Sequence, residues 1–148
     1  MGVKSRTRAE IRKEAKKKTA SAVLQNNPTS PRKARLVADL IRGKRVELAL
    51  HVLKNTSKQP AEKMRKLLLS AIANWQSKNE GLRIEDADLF VNEIKVDVGR
   101  TLKRIHPAPQ GRAHRIRKRS NHITIILGSK SQQAEEKVEE ETKENNKD

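Results

Sequence analysis

The pattern of apolar residues between positions 30 and 79 predicts three amphipathic helices. In each segment the apolar residues recur at intervals of three and four, which places them on one face of a helix. The three stripes are Ala34, Val37, Ala38 and Ile41; Val46, Ala49, Leu50 and Leu53; and Ala61, Met64, Leu68, Ala71, Ile72 and Trp75. These stripes are the expected core, and we interpret Met64 and Trp75 as packing residues, not as ligands.

The residues that flank these stripes are typical of helix ends. Asn26 to Thr29 is rich in turn formers, and Ser30-Pro31 places a capping hydroxyl before a proline at the first helical position. Gly43 is expected to cap the C-terminus of this helix. The second helix is predicted over residues 46–54, and the third from Pro60 to about Asn79.

After residue 81 the spacing of apolar residues changes to two, which indicates β-strands. The two alternating sets are Phe90, Ile94, Val96 and Val98, and then Ile123, Ile125 and Leu127. A weaker alternation over Thr19 to Gln25 predicts a further short strand. No helical spacing lies between the two sets, so we expect one antiparallel hairpin over about residues 88–128. Arms of about 17 residues would reach on the order of 55 Å, which is longer than the core is wide.

The composition fits one small domain with an aliphatic core. Charged residues make up 35% of the 148 residues, hydrophobic residues 34%, and the aromatic side chains are one Trp and one Phe. The absence of cysteine excludes disulfides, cysteine-ligated zinc and thiol nucleophiles, and is compatible with a reducing cytosol. The longest uncharged apolar run, residues 123–128, is too short to span a bilayer, so we expect a soluble intracellular protein without a membrane partner.

The charge is large and unevenly distributed. Thirty-four Lys and Arg against eighteen Asp and Glu give +16. Residues 129–148 hold four Lys, six Glu and one Asp, so this acidic tail has net charge −3 and residues 1–128 have +19. We expect the tail to be disordered, and residues 1–19 to form a flexible basic arm that orders on a phosphate surface. The folded domain is predicted over residues 20–128.

The middle of the predicted hairpin contains the residues that indicate a binding partner. Residues 99–119 contain no acidic residue and eight cations, namely Arg100, Lys103, Arg104, Arg112, Arg115, Arg117, Lys118 and Arg119. A solvated ribbon would normally intersperse both signs, so this pattern favours a polyanion partner, and the guanidinium fork of Arg matches phosphate oxygens. Pro107, Pro109 and Gly111 predict a turn between Ile105 and Arg112, with the tip at about residues 100–112.

Nothing in the sequence indicates catalysis, a metal or a cofactor. There is no glycine-rich phosphate loop, no paired His at metal spacing and no Ser/His/Asp arrangement. We interpret the neighbouring Glu85, Asp86 and Asp88 as a polar turn. The four histidines are expected to be hydrogen-bonding residues that face RNA, and they are His51, His106, His114 and His122.

Five segments of the chain carry a family resemblance, namely Ser30-Pro31-Arg32-Lys33-Ala34-Arg35-Leu36-Val37-Ala38-Asp39-Leu40-Ile41-Arg42-Gly43, Leu69-Ser70-Ala71-Ile72-Ala73-Asn74, Leu102-Lys103-Arg104-Ile105, Gly111-Arg112-Ala113 and Ser120-Asn121-His122-Ile123-Thr124. In these segments and in their order, the chain resembles the ribosomal protein L twenty-two family of the large subunit, bacterial type, across about residues 20–128. Two differences from the family pattern lie in the hairpin: Arg100 stands where proline is common, and Ala108-Pro109 replaces a usually more basic pair.

The resemblance implies an α+β fold, with three helices packed on a small three-stranded antiparallel sheet and a long extended hairpin. It implies a structural protein of the cytoplasmic large ribosomal subunit that binds 23S ribosomal RNA and aids subunit assembly. The hairpin would line the peptide exit tunnel beside ribosomal protein L four, with its tip facing the nascent peptide. The tip residues are Arg104, Ile105, His106, Pro107, Ala108, Pro109, Gln110 and Gly111.

The expected RNA contacts lie on the first helix, on the turn after it and on the hairpin. They are Arg32, Lys33, Arg35, Arg42, Lys44, Arg100, Lys103, Arg104, Arg112, Arg115, Arg117, Lys118 and Arg119. Two other functions remain as alternatives. An architectural DNA-bending protein would insert its basic hairpin into a minor groove, and a nuclease would require the carboxylates of residues 85–88.

Overall fold

The computed structural model describes residues 19–79 and 87–129, together with Thr7, Arg8 and Glu10. Three helices and three strands follow one another in the order β1, α1, α2, α3, β2, β3. Their bounds are β1 Ala20–Asn27, α1 Pro31–Ile41, α2 Val46–Asn55, α3 Gln59–Lys78, β2 Phe90–Pro107 and β3 Ala113–Gly128. The predicted α+β fold is therefore confirmed.

The three strands form one antiparallel sheet in the order β1-β3-β2, with β3 in the centre. One face of the sheet packs against the helices, because the side chains that alternate inward are aliphatic. Ile123 and Ile125 of β3 are fully buried between Leu24 and Ala22 on one side and Val96 and Ile94 on the other.

The helical stripes supply the other half of the core, as their spacing predicts. The residues of α1 and α3 that face the sheet include Val37, Ile41, Met64 and Leu68, all without solvent exposure. Trp75 is also buried at the end of the α3 stripe. At about 25 cal/mol per Å² of apolar surface removed from water, such aliphatic burial is the main term that stabilises a small domain.

Two β-bulges in β2 change which residues face the core. The first lies between Val91 and Glu93, so Val91 is buried before it and Ile94 after it. Phe90, predicted in phase with Ile94, is instead half-buried on the opposite face, against Gly128. Val98 is 57% exposed, because the helices no longer cover the sheet there.

The ends of α1 follow the predicted residues with one correction. Pro31 is the first helical residue, but the Ser30 hydroxyl makes no capping hydrogen bond. Gly43 has a φ of +72°, which a glycine adopts without the steric cost of a Cβ. Its N–H donates to the carbonyl of Val91 at 3.0 Å, so the turn after α1 attaches to β2.

A buried polar network joins the end of β1, the start of α1 and the point where the hairpin leaves the core. Asn27 Nδ2 donates to Thr29 Oγ1 at 2.8 Å and to Asn121 Oδ1 at 3.1 Å. Asn121 Nδ2 donates to the carbonyl oxygen and the hydroxyl of Thr29, both at 2.8 Å. Lys63 Nζ completes the network by donating to Asn27 Oδ1 at 2.8 Å. Satisfied buried polar groups of this kind fix one arrangement of the elements that carry them.

Several predictions from the sequence concern segments that the structure describes only in part or not at all. Thr7, Arg8 and Glu10 of the basic arm are helical and exposed, whereas residues 1–6, 9 and 11–18 of that arm lie outside the described residues. So do residues 130–148 of the acidic tail, and Glu85 and Asp86. Among the described helices, none is long and apolar enough to cross a membrane.

Candidate nucleic-acid interface

The hairpin continues well beyond the core. β2 has 18 residues, which span about 60 Å at about 3.3 Å per residue. From Thr101 to Pro107 it pairs only with residues 113–119 of β3, because β1 ends at the level of Asn121. We call residues 99–119 the arm, which is distinct from the basic N-terminal arm of residues 1–19. Apart from half-buried positions at its base and at Ala108, its side chains are exposed.

All eight cations of the arm are exposed, and none forms an ion pair with any residue in the described ranges 19–79 and 87–129. The ion pairs that do form lie elsewhere, for example Lys66 with Glu62 at 3.0 Å and Lys95 with Glu93 at 2.8 Å. The arm therefore presents positive charge that the described part of the protein does not neutralise.

The register of the arm divides its cations between two faces. Residues directly opposite each other point to the same face, and alternate residues along a strand point to opposite faces. The arginine face carries Lys103, Arg115, Arg117 and Arg119 together with Thr101 and Ile105, and the mixed face carries Leu102, Arg104, Ile116 and Lys118. Arg100 lies in the bulge and Arg112 in the turn.

The base of the arm depends on a close backbone approach. The second bulge of β2 lies between Val98 and Thr101, where the Ser120 hydroxyl donates to the carbonyl of Arg100 at 2.5 Å. A Cβ on Gly99 would lie 2.7 Å from that same hydroxyl oxygen, closer than real contacts allow. A side chain at position 99 would therefore displace the Ser120 hydroxyl and crowd the carbonyl carbon of Ser120, which would be 3.2 Å from the added Cβ.

The tip is a tight turn. The N–H of Arg112 points to the carbonyl of Pro109 at 3.4 Å, and Ala108 N–H donates to the carbonyl of Arg112 at 2.9 Å. Gln110 and Gly111 both have positive φ, +62° and +69°, which matches the primed turns that suit hairpin twist. Ile105, which lies on β2 before the turn, is 73% exposed. The predicted turn between Ile105 and Arg112 is confirmed.

The cations of α1 divide into two groups. Arg32 and Lys33 are exposed and available for a partner. Arg35 donates from Nε and a terminal nitrogen to the carbonyl of Val96, at 3.3 and 3.1 Å. Arg42 forms an ion pair with Asp39 at 2.7 Å and reaches the carbonyl of Ile94 at 3.5 Å. Arg35 and Arg42 therefore help to hold α1 on β2, while parts of both side chains remain exposed.

The turn after α1 adds two exposed cations near the end of β3. Lys44 is exposed, and its carbonyl accepts a hydrogen bond from Val91 N–H at 2.9 Å. Arg45 forms a β-bridge with Phe90 and lies 3.8 Å from a carboxylate oxygen of Asp88. This turn supplies a second basic surface at the end of the domain opposite the arm.

The histidines do not form one site. His122 Nδ1 accepts a hydrogen bond from Asn26 N–H at 3.1 Å, which makes it part of the β1–β3 irregularity. His106 and His114 lie opposite each other near the tip, and His51 is exposed on α2. Among the described residues, no three His, Cys, Asp or Glu side chains cluster as metal ligands would.

Comparison with known proteins gives a family. The model of the family described as ribosomal protein L22p/L17e matches residues 22–128. The chain belongs to the uL22 family. It is 64% identical to large ribosomal subunit protein uL22 of Christiangramia forsetii over 129 residues, which cover 87% of this chain and 96% of that protein. It is 62% identical to uL22 of Flavobacterium johnsoniae over 129 residues, or 87% and 94% of the two chains.

The same relationship holds with uL22 of Bacteroides fragilis, at 60% identity over 131 residues, or 88% of this chain and 96% of that protein. Membership of the bacterial uL22 family makes the chain a structural constituent of the large subunit of the cytoplasmic ribosome, not an enzyme. The resemblance noted in the sequence is confirmed, and the nuclease alternative is wrong.

Some functional features could not be found from the sequence pattern. The roles of Arg35 and Arg42 in binding β2 carbonyls, and the network of Asn27, Thr29 and Asn121, depend on contacts between residues 50 to 100 positions apart in the chain. Gly99 was the one available signal for the bulge, since an isolated glycine inside a strand often marks one.

Proposed function

We propose that this uL22 protein binds 23S ribosomal RNA through the arm, through the exposed cations of α1 and through Lys44. The observation that carries this proposal is the arm itself, with eight exposed cations, no acidic residue and no ion pair to any described residue. Self-repulsion among these charges costs free energy in the isolated protein and is offset only when a polyanion neutralises it. In a large-subunit protein, that polyanion is ribosomal RNA.

Binding would couple RNA segments that are distant from one another. Lys44 lies in the turn that attaches to the start of β2 through Val91, whereas the arm is the far end of the same strand, so one protein can contact RNA at both places. Each phosphate contact releases counterions, so affinity should fall steeply as salt is raised. Holding separate RNA helices together in this way is how the protein would aid subunit assembly.

The position of the tip follows from the family resemblance. We place the tip, residues 104–111, in the wall of the peptide exit tunnel, beside ribosomal protein L four and facing the nascent peptide. The geometry supports this position in two respects. The arm is narrow enough to pass between RNA helices, since it is two strands wide with a spacing of about 4.8 Å. The turn residues Ala108, Pro109 and Gly111 are small and uncharged, which suits a surface that a peptide slides past.

One experiment tests the binding proposal. A photoreactive residue replaces Lys103 in the arm or, as a control, Gln76 on the exposed face of α3. We expect the protein to stay with the large subunit through a high-salt wash and the arm variant to crosslink to 23S RNA. The Gln76 variant should crosslink weakly. Recovery only in the free or the DNA-bound fraction would contradict the proposal and would favour the DNA-bending alternative.

A second experiment tests the position of the tip. A photoreactive residue at Ile105 is compared with one at Leu102, three positions nearer the core, in ribosomes stalled with a radiolabelled nascent chain. We expect a crosslink to the nascent peptide from position 105 and none from position 102. A crosslink from neither position would show that the tip does not reach the tunnel lumen, without affecting the RNA-binding proposal.

A further inference from the structure

The two faces of the arm differ in a way that overall charge does not reveal. Over the seven residue pairs from Thr101–Arg119 to Pro107–Ala113, the arginine face has four cations. Three of them lie on alternate positions of β3, namely Arg115, Arg117 and Arg119. Alternate residues of a strand lie about 6.6 Å apart. That spacing is of the same order as the separation of successive phosphates along an RNA strand, so this row can follow one.

The mixed face has a different composition. Leu102 and Ile116 occupy diagonal positions on it and are 46% and 41% exposed. One of its two cations, Arg104, donates to the carbonyl of Lys103 at 2.9 Å and is thereby directed onto the arm's own backbone. Lys118 lies opposite Leu102, not opposite another cation.

Lys103 and Arg117 form a pair with no counterpart on the mixed face. They are directly opposite in the register, and both belong to the arginine face. Directly opposed residues have Cβ atoms about 5 Å apart, and like charges at that position destabilise a hairpin. Thr101 faces Arg119 and Ile105 faces Arg115, so the other cations of this face have neutral partners across the strand.

We infer that Lys103 and Arg117 form a phosphate clamp, in which one RNA phosphate binds between the two side chains. Arg115 and Arg119 then contact the adjacent phosphates along the same RNA strand. An anion between the two cations converts a repulsive pair into two charge-assisted hydrogen-bonded contacts. The mixed face, with Leu102 and Ile116, takes apolar contacts with bases or sugars of the same RNA. This inference rests on the proposed RNA-binding function and assigns the phosphate contacts to one face.

The chain offers a closely matched control. Lys103 and Lys118 are both exposed lysines in the middle of the arm, one register level apart and on opposite faces. The variants K103Q and K118Q therefore remove the same charge at nearly the same distance from the core. Their binding to transcribed 23S RNA from Flavobacterium johnsoniae is measured between about 50 and 200 mM monovalent salt.

We expect K103Q to weaken binding by about tenfold and to lower the salt slope by about 1, whereas K118Q weakens binding less than about threefold. R117Q should match K103Q, and K103R should keep the affinity of the parent protein. In the free protein, K103Q should slow amide hydrogen exchange at residues 102–104, since it removes the repulsion across the strands. K118Q should leave that exchange unchanged.

Two outcomes would overturn the clamp. Equal losses of affinity for K103Q and K118Q would show that the arm binds RNA by net charge alone, and the proposed function would stand without the clamp. Absence of salt-dependent binding by the parent protein would overturn the proposed function and the clamp together.

Discussion

The base and the arm belong to the same two strands, yet they are stabilised in different ways. At the base, Ile94, Val96 and Ile123 are buried against the helices, and β3 has a neighbour on both sides. Beyond Val98 the same strands pair only with each other, and their side chains are nearly all exposed. A two-stranded ribbon without a packed face is marginally stable in water. The base therefore supports the fold, and the arm depends on what it binds.

The largest expected effect comes from removing the arm. Replacing residues 101–119 by Asn-Gly, a pair that favours a two-residue hairpin turn, should reduce affinity for 23S RNA by about 10³-fold at moderate salt. Circular dichroism should still show the three helices, because none of the removed residues is buried in the core. Loss of the helical signal would show that the arm contributes to the stability of the domain.

A substitution in the core, in contrast to removal of the arm, should lower the stability of the domain. Leu68→Ala removes a fully buried side chain and should lower the free energy of unfolding by about 2–5 kcal/mol in urea titration. The matched change in the arm, Ile105→Ala, should lower it by less than about 0.5 kcal/mol, since Ile105 is 73% exposed. Similar losses for both variants would remove the contrast between base and arm.

A substitution at the boundary between the base and the arm should lower the free energy of unfolding by a smaller amount. Asn121→Ala leaves the Thr29 carbonyl and the Asn27 side chain without their buried partner. We expect a loss of about 1–3 kcal/mol in the free energy of unfolding. The adjacent Ser120→Ala removes only the partly exposed bond to the Arg100 carbonyl and serves as the control. A loss confined to Ser120→Ala would place the critical contact at the bulge and not in the buried network.

The smallest effect concerns an exposed ion pair far from the arm. The hydrogen bond and charge of Lys66 hold the pKa of Glu62 below its ordinary value of 4.5. A lowered pKa in the folded state adds stability above the unfolded pKa, and this is lost as pH falls through the folded pKa. Glu62→Gln should therefore lower Tm slightly at pH 7 and leave it unchanged near pH 2. A difference that persists at the lower pH would exclude the ion pair as its cause.

The sequence pattern predicted the elements better than it predicted their phase. Helical spacing identified Val37, Met64 and Leu68 as core residues because the apolar residues of each helix form one continuous stripe along one face. The phase of β2 was not predictable in the same way, since each bulge inserts a residue and moves the next side chains to the other face. Phe90 was assigned to the wrong face for that reason.

The charge pattern located the arm but not the division of its cations. Counting charges treats Lys103 and Lys118 as equal, whereas the register places them on opposite faces. Likewise, Arg35 carries the same charge as Arg32, yet its guanidinium binds the Val96 carbonyl. Such assignments depend on pairing between distant segments, which composition and spacing along the chain do not contain.

The bulge beside Gly99 also restricts how the length of the arm can vary. It sets which residues of β2 share a face with those of β3, and beyond it the pairing is regular to the tip. Deleting a single residue from either strand would move every outer side chain of that strand to the other face. An insertion near the base of the arm would keep the outer side chains on their present faces only if it added two residues per strand, and the reach would then change by about 6.6 Å.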